Sequence, residues 1–119
     1  MSSSPVELLT AVAEPTRLRI LNCLAAAPLF VSDLQAILDL PQPTVSRHLA
    51  VLRQSGVVRD TPIGQFVLYR LRRESGAAGR LLTAILDAVG RDGDFRAEHG
   101  AALERSRTHT SQRLALAEA

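Results

Sequence analysis

A mainly helical fold carrying one small β-hairpin is what this sequence predicts, and three observations predict it. Apolar residues recur at helical spacing through most of the chain, and a single stretch after Gly56 alternates instead. Aromatic residues make up only 3%, with no Trp, so Leu, Val, Ile and Ala must fill the core, which suits packed helices better than a sheet sandwich. At 119 residues and 46% apolar content the chain closes one core and has no room for a second domain of ordinary size. Residues 1–119 therefore read as one domain, with 5–90 as its body and 91–119 as a C-terminal helix and tail.

Val6, Leu8, Leu9 and Val12 fall at helical spacing over residues 5–13. Glu14-Pro15 announces a second helix, proline being at home in a first turn; Leu18, Leu21 and Leu24 beside Ile20 form its stripe, and Pro28 ends it. Ser32-Asp33-Leu34-Gln35 has the form of a capping box, with Ser32 capping and Gln35 reaching back, and Ile37 and Leu38 continue a short helix. Asp39-Leu40-Pro41-Gln42-Pro43 breaks the pattern and reads as a tight turn, since prolines so close cannot lie inside a continuing helix. Val45, Leu49 and Leu52 then recur at i, i+4 and i+7, which predicts a helix over 42–55 stopped by Gly56. Its other face holds Gln42, Ser46, Arg47, Ala50, Arg53 and Gln54.

Residues 57–60 and 65–71 alternate well enough for a two-stranded hairpin around a Thr61-Pro62-Ile63-Gly64 turn. Leu81, Leu82, Ile85, Leu86 and Val89 make a broad stripe on a helix that ends near Gly90. A last helix over 95–107 has a thin apolar face of Phe95, Ala102 and Leu103, and residues 106–119 read as a fraying tail.

No run approaches eighteen uncharged apolar residues, and Met1-Ser2-Ser3-Ser4-Pro5 has neither a basic nor a signal-like apolar segment, so a cytoplasmic protein with no membrane partner is expected. The single cysteine, Cys23, rules out an intrachain disulfide and any multi-cysteine metal cage within one subunit. Set between Leu21 and Leu24, it reads as a small hydrophobe. Net charge is only +2, yet all fourteen basic residues are Arg, whose planar fork matches phosphates and guanine edges. There is no Gly-rich phosphate loop, no Ser or Cys with an adjacent base motif, no catalytic carboxylate pair and no call for a cofactor, so an enzyme is not expected.

Two short helices joined by a tight turn, the second amphipathic with small polar and Arg residues outward, form what a major groove admits; the hairpin directly after them completes a winged helix-turn-helix of five to six helices plus a wing. Exposed Ser46, Arg47 and His48 would also suit an ordinary solvated helix face. Through Ala13-Glu14-Pro15-Thr16-Arg17-Leu18-Arg19-Ile20-Leu21, Val31-Ser32-Asp33-Leu34, Thr44-Val45-Ser46-Arg47-His48-Leu49, Leu52, Gly56-Val57-Val58 and Tyr69-Arg70-Leu71, the chain resembles the bacterial ArsR family of winged-helix repressors. The resemblance covers residues 6–90.

That resemblance implies a promoter-blocking repressor of double-stranded DNA: a symmetric homodimer closed by the first and fifth helices, each subunit placing residues 42–48 in a major groove and a wing, 59–66, against the adjoining backbone. Leu8, Leu9, Val12, Leu82, Ile85, Leu86 and Val89 exceed what so small a core needs to bury, which fits a dimer interface; the alternative is that all are intramolecular core. The forked groups of Gln42 and Arg47 suit base edges, while Thr44, Ser46 and His48 suit phosphates. His48 equally suits a buried, hydrogen-bonded position. Arg59 and Gln65, flanking Gly64, suit the backbone or minor groove. Pro41 and Pro43 stand where family members often carry Ser, so the turn is preorganised by proline and lacks a hydroxyl cap.

The family's metal positions hold other residues here. Phe30-Val31-Ser32 stands where arsenic- and cadmium-type members show Cys-Val-Cys, and Arg73, Ser75, Leu86 and Val89 stand where a second site has Asp, His or Glu. A nickel or zinc site could instead draw on Glu98, His99, Glu104 and His109, although His99 and His109 lie ten apart and out of helical register. Without a metal, the effector is an organic ligand at the dimer interface, a partner protein, or none. The rival to a DNA-binding reading is a winged-helix module that binds another protein.

Overall fold

In a computed structural model, residues 4–72 and 75–110 are described, save the side chains of His109 and Thr110. They form six α-helices and a three-stranded antiparallel sheet in the winged helix-turn-helix arrangement: α1 (Pro5–Val12), α2 (Pro15–Ala26), β1 (Leu29–Phe30), α3 (Val31–Leu38), α4 (Gln42–Gln54), β2 (Val58–Ile63), β3 (Phe66–Leu71), α5 (Gly76–Val89) and α6 (Gly93–Arg105), then a π-helical turn at Ser106–Thr110.

Each boundary has a local cause. Ser4 Oγ accepts the Glu7 N–H at 3.1 Å to cap α1, and Glu14 Oε2 accepts the Arg17 N–H at 2.8 Å to cap α2, with proline in both first turns. Ala27, before Pro28, is extended (φ −172°, ψ 160°), as a pre-proline residue prefers, and ends α2. The capping box lies two residues before where the sequence suggested: α3 starts at Val31 with Phe30 as its N-cap, and the Asp33 carboxylate, not Ser32 or Gln35, accepts the Phe30 N–H at 2.9 Å. Asp39 closes α3 in the left-handed region (φ 55°), which a short polar side chain tolerates.

Pro41 and Pro43 prove compatible with α4, because they occupy its N-cap and first turn, where the missing N–H groups have no helical partner; the Pro41 carbonyl accepts from Thr44 and Val45 at 3.1 and 3.2 Å. At the other end Gly56 (φ 76°) donates to Arg53 O, and Val57 donates to Leu52 O, both at 3.0 Å, a Schellman stop that needs glycine.

The sheet has order β1-β3-β2. A third strand was not anticipated: Leu29 and Phe30 pair with Tyr69 and Leu68. The hairpin is also longer than expected, running to Ile63↔Phe66 and turning through Gly64 (φ 60°) and Gln65 alone, as a two-residue turn with glycine first allows. Pro62, expected in the turn, instead lies in edge strand β2 opposite Val67, where a missing donor is tolerated.

The core is aliphatic, with Ile20, Leu21, Leu34, Val45, Leu49 and Leu52 fully buried, and it draws in Leu8 and Val12 from α1. The rings of Phe30 and Phe66 meet edge to face, with centroids 5.7 Å apart.

Helix α6 docks through polar groups as much as apolar ones, which explains its thin stripe. Asn22 Nδ2 donates to Phe95 O at 2.7 Å, the Arg19 guanidinium grips both Glu98 oxygens (2.5–3.2 Å), and Arg105 Nε donates to Asp33 Oδ1 at 3.2 Å, around a fully buried Ala102. Arg19 also donates to Leu38 O at 3.2 Å, so groups tied to α6 hold both ends of α3. Fraying from Ser106 is not what the structure has: the chain stays helical to Thr110, and residues 111–119 of the expected tail lie outside the described residues.

Cys23 is buried, its sulfur 4.0 Å from Glu98 O. Burial first, and then the Glu98 charge, push its thiol up to about 12, against a lowering by Arg19. In the unfolded chain a thiol ionises near about 8.5. Below that pH both states keep the proton; above it only the unfolded state loses one, so this group makes stability fall between about pH 8.5 and about pH 12. Thermal melts from pH 7 to 10.5 should fall more steeply for the native chain than for Cys23→Ala, and a thiol reagent should label native Cys23 only on unfolding. Parallel curves and prompt labelling would contradict this.

Candidate nucleic-acid interface

Helix α4 is fixed by burying Val45, Leu49 and Leu52 completely, which turns the opposite face outward. On that face Gln42, Pro43, Arg47, Arg53 and Gln54 are exposed, with Ser46 and Ala50 half-buried among them. Arg47 is exposed, with the short Pro43 and Ala50 about one turn before and after it on the same face. Gln42 Nε2 donates to Ser46 Oγ, one turn on, at 2.6 Å, which holds the amide and leaves its oxygen as an acceptor. Thr44 is half-buried on the flank.

His48 does not share this face. Its side chain is only 14% exposed, and Nδ1 lies 3.4 Å from Arg17 Nη1 and 3.8 Å from Glu14 Oε2, so the ring is turned toward the start of α2. The buried, hydrogen-bonded alternative describes it better than a phosphate contact does.

Arg59 and Gln65 are both exposed on the hairpin. The register adds a residue that the sequence reading did not single out: Arg59 stands opposite Arg70, which is also exposed. Like charges side by side across two strands repel unless an anion lies over them. The hairpin is tied to α4 by Arg53 Nη1, which donates to Asp60 Oδ2 at 3.1 Å. Burial, with the nearby Asp60 charge, raises the Tyr69 phenol above its ordinary range, partly offset by Arg53. The i,i+4 spacing of Gln42 and Ser46 was readable from the sequence; the partners of Arg53 and Arg70 were not, since they depend on strand register.

The expected interface residues divide. Leu8 and Val12, and nearly all of Leu82, lie in this chain's own core, whereas Leu9 is 48% exposed and Ile85, Leu86 and Val89 are half-buried. Beside Leu9, Val6 is 72% exposed. The two hydrophobic side chains of α1 in water are thus Val6 and Leu9, and the first was not on the expected list.

The alternative metal residues are not gathered. Glu98 is held by Arg19, His99 is half-buried on α6, Glu104 is exposed, and the His109 side chain lies outside the described residues, as does Arg73. Among the described residues no three His, Cys, Asp or Glu side chains converge, and no helix is long and apolar enough to cross a membrane.

Comparison with known proteins gives a consistent picture. The sequence profile of the bacterial regulatory protein, arsR family, matches residues 14–60, from the cap of α2 into β2. The arsenical resistance operon repressor of Escherichia coli is 46% identical over 68 residues, 56% of this chain and 58% of that protein. The HTH-type transcriptional repressor SmtB of Mycobacterium tuberculosis is 41% identical over 88 residues, 74% of this chain and 62% of that protein. This chain therefore spans about three fifths of the length of these curated relatives. Among solved structures, HlyU from Vibrio cholerae superposes with a TM-score of 0.61 at 36% identity, covering 72% of this chain and 87% of that one. All three comparisons lead to transcriptional regulators by name or family.

Proposed function

This chain belongs to the bacterial arsR family of regulatory proteins, and on that premise we propose that it is a transcriptional repressor that binds double-stranded promoter DNA as a homodimer. The observation that carries the reading is the outward face of α4, with Arg47 exposed and Gln42 held by Ser46, beside a hairpin whose exposed Arg59 and Arg70 stand opposite each other in register. Arg47 and Gln42 read base edges, Thr44 and Ser46 hold phosphates at the flank of the groove, and Arg59, Arg70 and Gln65 lie along the backbone. Pro43 and Ala50 offer apolar contact to thymine methyls on the same face. The protein acts in the cytoplasm as a single-domain regulator. It is a member without the family's metal ligands, since Val31 and Ser32 open α3 with no thiolate, and a metal does not release it.

The test is fluorescence anisotropy of the protein against its upstream promoter duplex across a range of salt concentrations. Each phosphate neutralised steepens the log–log decline of affinity by about 0.9. A steep decline together with preference over scrambled duplex supports the reading. Weak binding indifferent to sequence would instead support a protein-binding module, and release by nickel or zinc would return attention to His99 and His109.

The dimer is closed by α1 and α5, with Val6 and Leu9 joining Ile85, Leu86 and Val89. Leu9→Glu places a charge in that contact at a position already half in water. It should shift the chain to monomer in analytical ultracentrifugation while moving the melting temperature of the monomer by little, because exposed sites change stability by about 0.5 kcal/mol or less. A dimer of unchanged strength would place the interface elsewhere.

A further inference from the structure

Arg17, on α2, touches two other helices at once. Its Nε donates to Ala11 O at 2.7 Å and its Nη2 to Thr10 O at 3.5 Å, both carbonyls in the last turn of α1. Its Nη1 lies 3.4 Å from Nδ1 of His48 on α4, within hydrogen-bonding distance. Its own backbone N–H is held by Glu14, whose carboxylate also lies 3.8 Å from His48. A guanidinium suits this junction because it is a rigid fork, able to cap the negative end of one helix while donating sideways to another group; an ammonium has no such fixed geometry.

The two helices that it joins have different roles. Helix α1 carries Val6 and Leu9, exposed for a second copy, and α4 carries the reading face. We propose that Arg17 and His48 form a clasp that fixes the recognition helix relative to the dimerisation helix and so sets the distance between the two reading heads. They are positioning residues and do not contact DNA. This rests on the dimeric DNA-binding reading above.

The physical consequence concerns spacing. Two linked reading heads gain affinity from the high effective concentration of the second head at its half-site, and that gain is largest when the linkage holds the heads at the matching separation and orientation. Inserting one base pair moves the second half-site by about 3.4 Å and turns it by about 35°, so a rigid linkage discriminates between spacings and a loose one does not. A clasp residue thus controls discrimination between spacings, whereas a base or phosphate contact controls the affinity of each half-site alone.

The experiment uses the full chain and an operator selected by the native protein from random-sequence duplexes. That operator is compared with versions lengthened and shortened by one base pair and with a single half-site. The native protein should lose about tenfold or more on either altered spacing, as bivalent advantages of this size allow. Arg17→Met should bind the selected operator more weakly, with a flattened spacing profile and unchanged half-site affinity. His48→Leu leaves the cap on α1 in place, guards against a folding defect in the first variant, and should flatten the profile likewise. A full spacing penalty in both variants overturns the clasp, and so does a loss of half-site affinity with a shallower salt slope, which would make these residues DNA contacts. If the native protein itself shows no spacing preference, the dimeric reading falls and the clasp with it.

Discussion

Asp33→Ala lowers the unfolding free energy by about 3 kcal/mol, combining the loss of a helix cap with the breaking of a buried charge pair. The carboxylate is fully buried, and two of its partners lie among the described residues. One oxygen accepts the Phe30 N–H at 2.9 Å, where β1 passes into α3, and the other accepts Arg105 Nε at 3.2 Å from the end of α6. Alanine leaves the Phe30 amide buried without this acceptor and Arg105 without its counterion, so the cost exceeds that of an exposed cap. Arg105→Ala should cost less, because the Arg105 side chain is 30% exposed and Asp33 still caps α3. A double-mutant cycle in urea should show the two losses to be non-additive, as expected for groups in direct contact. Additive losses would mean that the pair does not act as a unit.

Arg47→Ala weakens binding to the preferred operator by about 1–3 kcal/mol, roughly tenfold to a hundredfold, if its fork reads a base pair. Stability should hardly change, because Arg47 is exposed and no partner among the described residues fixes it. Binding to scrambled duplex should weaken much less, so the ratio of specific to non-specific affinity collapses. Arg47→Lys keeps the charge without the fork and should recover little of that ratio. A uniform loss across sequences, with the salt slope shallower by about one unit, would make Arg47 a phosphate contact. Against this, Arg53→Ala should act on geometry, since Arg53 holds the wing to α4 through Asp60.

The helices were legible because Leu, Val and Ile recur at a period that few other structures produce: Val45, Leu49 and Leu52 alone orient α4, and with it the face on which Arg47 stands. What escaped the sequence reading lies at short range or at very long range. Two-residue β1 is too short to show a period. Ser32 and Asp33 are both good capping residues one position apart, and only the packed structure decides that Asp33 caps α3 from its third position. Pro62 resembles a turn residue and becomes a strand residue only because β2 is an edge. The anchors of α6 join residues 72 to 79 positions apart, so a helix with little apolar face gave no sign of how firmly it is held. His48 follows Arg47 directly, yet a helical step of about 100° turns it from the groove toward Arg17.

On the proposed reading, two copies of this chain present two α4 helices to one face of a duplex. Hydroxyl-radical footprinting on the selected operator tests it most directly. A dimer should give two protected segments related by a dyad and centred about one helical turn, about 10–10.5 base pairs, apart, with protection of the adjoining backbone lost in Arg59→Ala. A single protected segment, or uniform protection with no preferred register, would contradict it.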